Sequence, residues 1–271
     1  MSINADIRPR VIALANQKGG VGKTTTAINL STALAAIGEE VLVVDLDPQG
    51  NASTGLGIDA EDRELSTYDL LRDGASLKDI SIPTAVPRLS VAPSTLDLLG
   101  LETEVSHVED RNFRLKKAIA AHLGREPDYS YIMIDCPPSL NLLTLNALAA
   151  ADSVIVPLQT EFFALEGLSQ LLQTLEQVRA SINNRLTVQG IVMTMYDKRN
   201  NLSEQVVSDV RETLGELVYE TIIPRNVRIS EAPSFGKPVL LYDINCAGSQ
   251  AYLKLASELI QREKALQRSP N

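Results

Sequence analysis

The strongest constraint on the fold is an apolar run, Val11-Ile12-Ala13-Leu14-Ala15, that leads into Lys18-Gly19-Gly20-Val21-Gly22-Lys23-Thr24-Thr25 and then into a segment with helical spacing. A buried strand, a glycine loop and a helix in that order form a phosphate cradle. Gly19, Gly20 and Gly22 let successive backbone N–H groups approach phosphate oxygens, and the helix starting near Lys23 adds the positive end of its dipole. The pattern Gly-x-x-x-x-Gly-Lys-Ser/Thr fits with one departure. Gln17 stands where the first glycine belongs, and a second lysine, Lys18, follows it.

The remaining periodicity extends this unit. Ile28, Leu30, Ala33, Leu34 and Ile37 recur at helical spacing over Thr25 to Ile37, and Gly38 stops the helix. Val41-Leu42-Val43-Val44 is a continuous β-branched run of the kind buried on both faces of a parallel sheet, and it ends in Asp45 and Asp47. Tyr131 to Asp135 repeats the pattern, an apolar run closed by an acid, with Pro127 opening its approach. Further strands are predicted at Arg10 to Asn16, Leu89 to Ala92, Val154 to Leu158, Val188 to Met195 and Glu220 to Ile223. Helices are predicted at Thr67 to Leu71, capped by Ser66, and at Thr95 to Val105, Asn112 to His122 and Leu140 to Ala150. Three more follow at Leu165 to Ile182, Ser203 to Leu214 and Ser249 to Lys264. Residues 58–88 are otherwise the least readable stretch.

Such alternation predicts an α/β fold: a single doubly wound, mostly parallel β-sheet flanked by helices. Residues 11–264 form one domain, between a flexible N-terminal segment, 1–10, and a polar C-terminal tail, 265–271. With 44% apolar residues there is ample material for one core, and no window reaches the roughly 18 apolar residues of a membrane span. Cys136 and Cys246 lack metal spacing, so a cytoplasmic protein without a disulfide is expected.

Ligands of such sheets sit at the carboxyl ends of parallel strands, so the glycine loop, Asp45, Asp47 and Asp135 should converge. Lys23 should reach the β- and γ-phosphates of a nucleoside triphosphate. Thr24 should place its hydroxyl on Mg²⁺, and Asp135 should hold that metal through water. Asp45 and Asp47 stand at the strand's end and in the turn just past it; only one is expected to face the γ-phosphate directly, and the pattern leaves open which. Either could instead cap the turn before Pro48.

The net charge is −9, but it is unevenly spread: residues 198–271 carry ten basic and nine acidic side chains. Lys198, Arg199, Arg225, Arg228, Lys237 and Lys254 lie in that less acidic part, either as a phosphate-binding surface or as ordinary solvated cations.

The glycine loop, Asp45-Leu46-Asp47-Pro48-Gln49-Gly50-Asn51 and Ile134-Asp135-Cys136-Pro137-Pro138-Ser139 together resemble the deviant Walker A ATPases. The run from Ile223 through Pro224-Arg225-Asn226-Val227-Arg228 to Pro238 resembles their ParA/Soj chromosome-partitioning branch. That resemblance implies ATP and Mg²⁺ as ligands, with Gly19 to Thr25 around the phosphates. It implies a homodimer formed on ATP, in which Lys18 reaches the partner subunit's phosphates and Gly19 lies where the two nucleotides face each other. Asp47 then corresponds to the water-positioning acid and Asp45 lies nearer the magnesium shell. Pro224, Asn226 and Met195 are candidates for the adenine pocket. Arg199, Arg228, Lys237 and Lys254 are candidates for sequence-independent contact with double-stranded DNA, and a ParB-like centromere-binding partner is implied to stimulate an otherwise weak hydrolysis on the nucleoid. Phe162 and Phe163 fit either the dimer face or the core.

Three alternatives lie close by. A related ATPase could position another cargo, such as a plasmid. A MinD-like membrane-surface switch needs an amphipathic C-terminal helix, and Gln261 to Asn271 offers only Ala265 and Leu266 as apolar residues, so no membrane partner is expected. A metallocluster reductase would need paired ligand cysteines near the nucleotide, and Cys246 is remote in sequence from Cys136.

Overall fold

The computed structural model describes residues 8–125 and 128–268, the last three as backbone. Residues 1–7 of the expected flexible segment, Pro127, and 269–271 of the expected tail lie outside the described residues.

Period-two alternation along each central strand sends side chains to two separate cores. In β1 (Arg10–Leu14), Val11 and Ala13 join one cluster, Ile12 and Leu14 the other. In β2 (Val41–Asp45), Leu42 and Val44 oppose Val41 and Val43, and β5 (Tyr131–Asp135) divides in the same way. Each fully buried Leu, Ile or Val of these runs contributes about 1.5–3 kcal/mol.

The remaining strands are β3 (Ile82–Pro83), β4 (Leu89–Ala92), β6 (Ser153–Gln159) and β7 (Thr187–Thr194). Their order is β3-β4-β2-β5-β1-β6-β7, all parallel except β3, which runs antiparallel to β4 at the edge. Pro83 cannot donate to a ladder and is tolerated there. One core is closed by α1 (Lys23–Ala36), α2 (Asn51–Gly55), α10 (Val227–Glu231), α11 (Val239–Tyr242) and α12 (Ala247–Arg268). The other lies under α3 (Thr67–Asp73), α4 (Leu77–Ile80), α5 (Leu101–Glu104) and α6 (Arg114–His122). It continues under α7 (Leu142–Ala150), α8 (Ala164–Ser181) and α9 (Asn201–Leu214). Because β5 lies between β1 and β2, the chain leaves β1 for β2 on one side and leaves β5 for β6 on the other. The crevice between β1 and β5 is therefore the switch point at which ligands of such sheets bind.

Several expected boundaries move. β1 ends at Leu14 rather than Asn16, because the Asn16 side chain turns to bond Pro157 O. The expected helix Thr95 to Val105 is a 3₁₀ turn, Leu96–Leu99, followed by α5, with Gly100 at the junction. Ser66 caps α3 as expected, and Asp69 completes the capping box. The expected strand Glu220 to Ile223 does not form. The segment runs beside β7 with single bridges at Val218 and Pro224, while the Glu258 carboxylate accepts the N–H groups of Glu220 and Thr221 at 2.8 and 2.9 Å. A side chain on α12 thus takes donors that a ladder would need.

Candidate nucleotide-binding site

The loop between β1 and α1 is held from three directions. At its start, Asn16 Nδ2 donates to Pro157 O at 2.8 Å while Asn16 Oδ1 accepts from the Lys18 N–H at 3.0 Å. In its middle, Thr194 Oγ1 at the end of β7 donates to Val21 O at 2.8 Å. At its end, Gly22 forms the N-cap of α1 with φ +90°, and the Thr26 N–H donates to Gly22 O at 2.9 Å. Gly20, at φ +74°, also needs the left-handed region, and nothing stands within 4 Å of where its Cβ would be. Residues 17–20 form an exposed crest, whereas Val21 and Lys23 are buried.

Lys23 Nζ curls back to donate to Lys18 O at 3.0 Å. Burial pushes its ammonium below the ordinary lysine value, and the charge of Asp135 pulls the other way. Lys18 is exposed, and its ammonium pairs with Glu161, just past β6. Phe162 and Phe163 follow, exposed by 74% and 63%, with their rings edge to face at 5.0 Å. Their placement is on the surface and not in the core.

Asp45 and Asp135 are register partners in β2 and β5, and Asp135 is also opposite Leu14 of β1. Both carboxylates are fully buried. Asp45 Oδ2 accepts from Ser53 N at 2.9 Å and Ser53 Oγ at 2.7 Å, and Oδ1 accepts from the Asp47 N–H at 3.1 Å. Burial still raises its pKa, against the lowering effect of these bonds. Asp135 differs. Neither of its oxygens has a hydrogen-bond partner by distance and angle, although Thr24 lies near enough to favour the charged form. Burial, and then the charge of Asp45, drives Asp135 well above the usual carboxylate range. A buried carboxylate without donors is costly unless a cation completes it. Asp47 is half-buried at the turn, with Oδ1 accepting from the Gln49 N–H at 3.0 Å.

The adenine candidates gather on one flank. Met195 follows β7 at φ +53°, its Cε 3.9 Å from where a Gly22 Cβ would stand. Tyr196 bridges to Pro224, and Asn226 caps α10 by accepting from the Arg228 N–H at 2.9 Å. The four DNA candidates are exposed but differ in company. Arg199 makes a two-pronged bond to Asp197 at 2.9 and 2.8 Å with its side chain 83% exposed, which holds Asp197 well below the usual carboxylate range. Arg228 pairs with Glu231 at 2.9 Å and Asp243 at 3.6 Å. Lys237 and Lys254 have no acidic partner within 4 Å among the described residues. Cys136, next to Asp135, is fully buried with its thiol pushed up by burial, a packing role, and it is unpaired.

Sequence reasoning did not single out Ser53, Glu161 or Thr194. They touch the site through contacts 8 to 173 residues apart, and only the strand-end position of Thr194 hinted at it.

Comparison with known proteins decides the family. Residues 9–188 match the family model described as an AAA domain. The chromosome partitioning protein ParA of Caulobacter vibrioides is 62% identical over 255 residues, covering 94% of this chain and 95% of the relative. The chain belongs to the ParA/Soj family of chromosome-partitioning ATPases. Its similarity extends to the sporulation initiation inhibitor protein Soj of Bacillus subtilis, 52% identical over 92% of this chain and 98% of the relative. Among solved structures, the cobyrinic acid a,c-diamide synthase from Mycobacterium smegmatis with bound ADP and magnesium superposes with a TM-score of 0.82. It is 36% identical, and the match covers 97% of this chain and 98% of that one. The ParA/Soj fold is thus shared with a nucleotide-binding protein of another name.

Proposed function

We propose that this ParA/Soj-family ATPase dimerises on ATP, binds double-stranded DNA without sequence preference and segregates chromosome or plasmid DNA on the nucleoid. A ParB-like partner stimulates its weak hydrolysis. The observation that carries the reading is the pairing of a donor-free buried carboxylate, Asp135, with a buried lysine, Lys23, beneath a glycine loop. The residues present fit Mg²⁺–ATP: Thr24 and Asp135 would hold the metal with Asp45 behind them, and Mg²⁺ supplies charge neutralisation between the phosphates.

The chain's own groups do the rest. The N–H groups of Gly19 to Thr25 and the α1 dipole hold phosphate oxygens, and Lys23 neutralises their negative charge. Asp45, locked by Ser53, fixes the start of the turn that carries Asp47, which orients the attacking water. Met195, Pro224 and Asn226 flank the base. Lys18 leaves Glu161 to reach the partner subunit's phosphates, and the exposed Phe162–Phe163 pair beside it suits a surface that becomes covered. Arg199, Arg228, Lys237 and Lys254 contact DNA phosphates, so affinity should fall steeply with salt.

Titration of a random-sequence duplex with the protein and ATP, ADP or no nucleotide, across a salt series, tests this. Binding should require ATP and weaken linearly on a log–log salt plot. Equal binding in all three states would overturn the ATP-dependent DNA reading.

A further inference from the structure

Arg63 lies just after the 3₁₀ turn Ala60–Asp62, within the 58–88 stretch that the site chemistry leaves unused. Its guanidinium ties three segments together. Nη1 donates to Ser94 O at 3.0 Å, and Nη2 donates to Thr54 Oγ1 at 2.7 Å and to Ile58 O at 2.8 Å. Thr54 belongs to α2, which starts directly after the Asp45–Gly50 turn, and Ser94 follows β4. A planar fork of donors can bridge three acceptors in fixed directions, which a lysine ammonium on a flexible stem does less well.

Gly50 supplies an independent observation. It sits at φ +64°, and a Cβ there would stand 2.2 Å from Arg63 Nη1 and 3.3 Å from Cζ. The guanidinium fills the space that any side chain at position 50 would take. Gly50 in turn closes the Asp47 turn, since its N–H donates to Asp47 O at 2.9 Å. Ser94 Oγ donates to that same oxygen at 2.6 Å, and the Ser94 N–H reaches Ser53 Oγ at 3.2 Å. Both residues that grip the Asp47 carbonyl are therefore held by Arg63, one by packing and one by a hydrogen bond.

The geometry points to Arg63 as a positioning residue for hydrolysis: through Gly50 and Ser94 it fixes the turn that aims the Asp47 carboxylate. This rests on the proposed role of Asp47 in orienting water. Arg63 acts on that carboxylate only through the turn, so its loss should lower turnover without releasing nucleotide. Small misplacements of a positioning group cost roughly ten- to a hundredfold in rate.

The test measures kcat for ATP, the affinity for a fluorescent ATP analogue, and thermal melting for wild type, Asp47→Ala, Arg63→Ala and Arg63→Lys. Asp47→Ala should abolish turnover. Arg63→Ala should lower kcat roughly tenfold or more while nucleotide affinity stays within about twofold, and Arg63→Lys should recover part of the loss. If Arg63→Ala melts too low to assay, Thr54→Val, which removes one anchor, should show the same split in smaller degree. An inactive Asp47→Ala beside a wild-type kcat in the Arg63 variants would overturn the positioning role and leave Asp47 standing. A parallel fall of kcat and affinity would overturn it too. Wild-type turnover in Asp47→Ala would instead remove the reading on which the inference rests.

Discussion

Asp45 and Asp135 are opposite each other in the register of β2 and β5, yet Asp45 accepts three hydrogen bonds and Asp135 accepts none. Two carboxylates at the same depth thus have different tasks. Asp45 organises the chain around it, through Ser53 and the Asp47 N–H, and Asp135 keeps its lone pairs for a ligand.

That difference gives a pH signature. Burial raises the Asp135 pKa in the folded chain well above the ordinary aspartate value, so between the two the folded state holds a proton that the unfolded state has released. Its contribution is intact below that value and is lost as pH rises toward the raised folded pKa. With EDTA and no nucleotide, the melting temperature of wild type should therefore fall as pH rises above the ordinary aspartate range. Asp135→Asn, which cannot ionise, should flatten the fall and melt a few degrees higher at pH 7, about 2–4 °C for each kcal/mol recovered. Parallel curves for the two proteins would place the effect elsewhere.

Gly22→Ala should damage the loop directly. At φ +90° an alanine is strained by about 1–2 kcal/mol, although its Cβ would make only ordinary contacts with Thr194 and Met195 at 3.8–3.9 Å. Nucleotide affinity should drop by roughly tenfold while the far core is unaffected, as measured by titration with a fluorescent nucleotide and by far-UV melting. Unchanged affinity would mean that the left-handed cap does not set the cradle.

Gly19→Val should leave the single chain intact. The nearest atom to a Cβ at Gly19 is Pro138 Cβ at 3.9 Å, an ordinary contact, and residue 19 lies on the exposed crest. Nucleotide should bind within about threefold of wild type, less than 1 kcal/mol. Light scattering should report a monomer at every ATP concentration. A dimer would contradict a face-to-face arrangement of the two loops.

Arg199→Glu should reduce ATP-dependent duplex binding and the steepness of its salt dependence, by about one counterion or more, without altering ATP turnover in the absence of DNA. The fork to Asp197 adds a companion variant. Asp197→Asn removes the competing carboxylate and should strengthen binding. Gel-shift titrations identical for wild type and both variants would move the DNA surface away from Arg199.

The parts of the molecule legible in the sequence were those written as continuous runs. Buried parallel strands ending in Asp45 and Asp135, and a glycine loop entering a helix, each declare themselves locally. What stayed illegible depends on partners distant in sequence. Within residues 58–88 only α3 was legible, from its Ser66 cap, while the two-residue strand and the four-residue helix are too short to show a period. Glu220 to Ile223 has strand composition, but Glu258 from α12 takes its donors. Ser53, Arg63 and Ser94 matter through hydrogen bonds that no spacing rule anticipates. The pairing of Lys18 with Glu161 likewise spans 143 residues.

Thr194 is bonded to Val21 of the phosphate loop, Tyr196 is clamped between Ile223 O and the Arg225 N–H, and Asp197 grips Arg199. The left-handed Met195 lies between the first two of these anchors, and the Arg199 side chain beyond them is 83% exposed and, among the described residues, bonded only to Asp197. A hydroxyl tied to the phosphate loop and a surface guanidinium thus stand five residues apart on one strand exit, so the same short stretch of backbone places both.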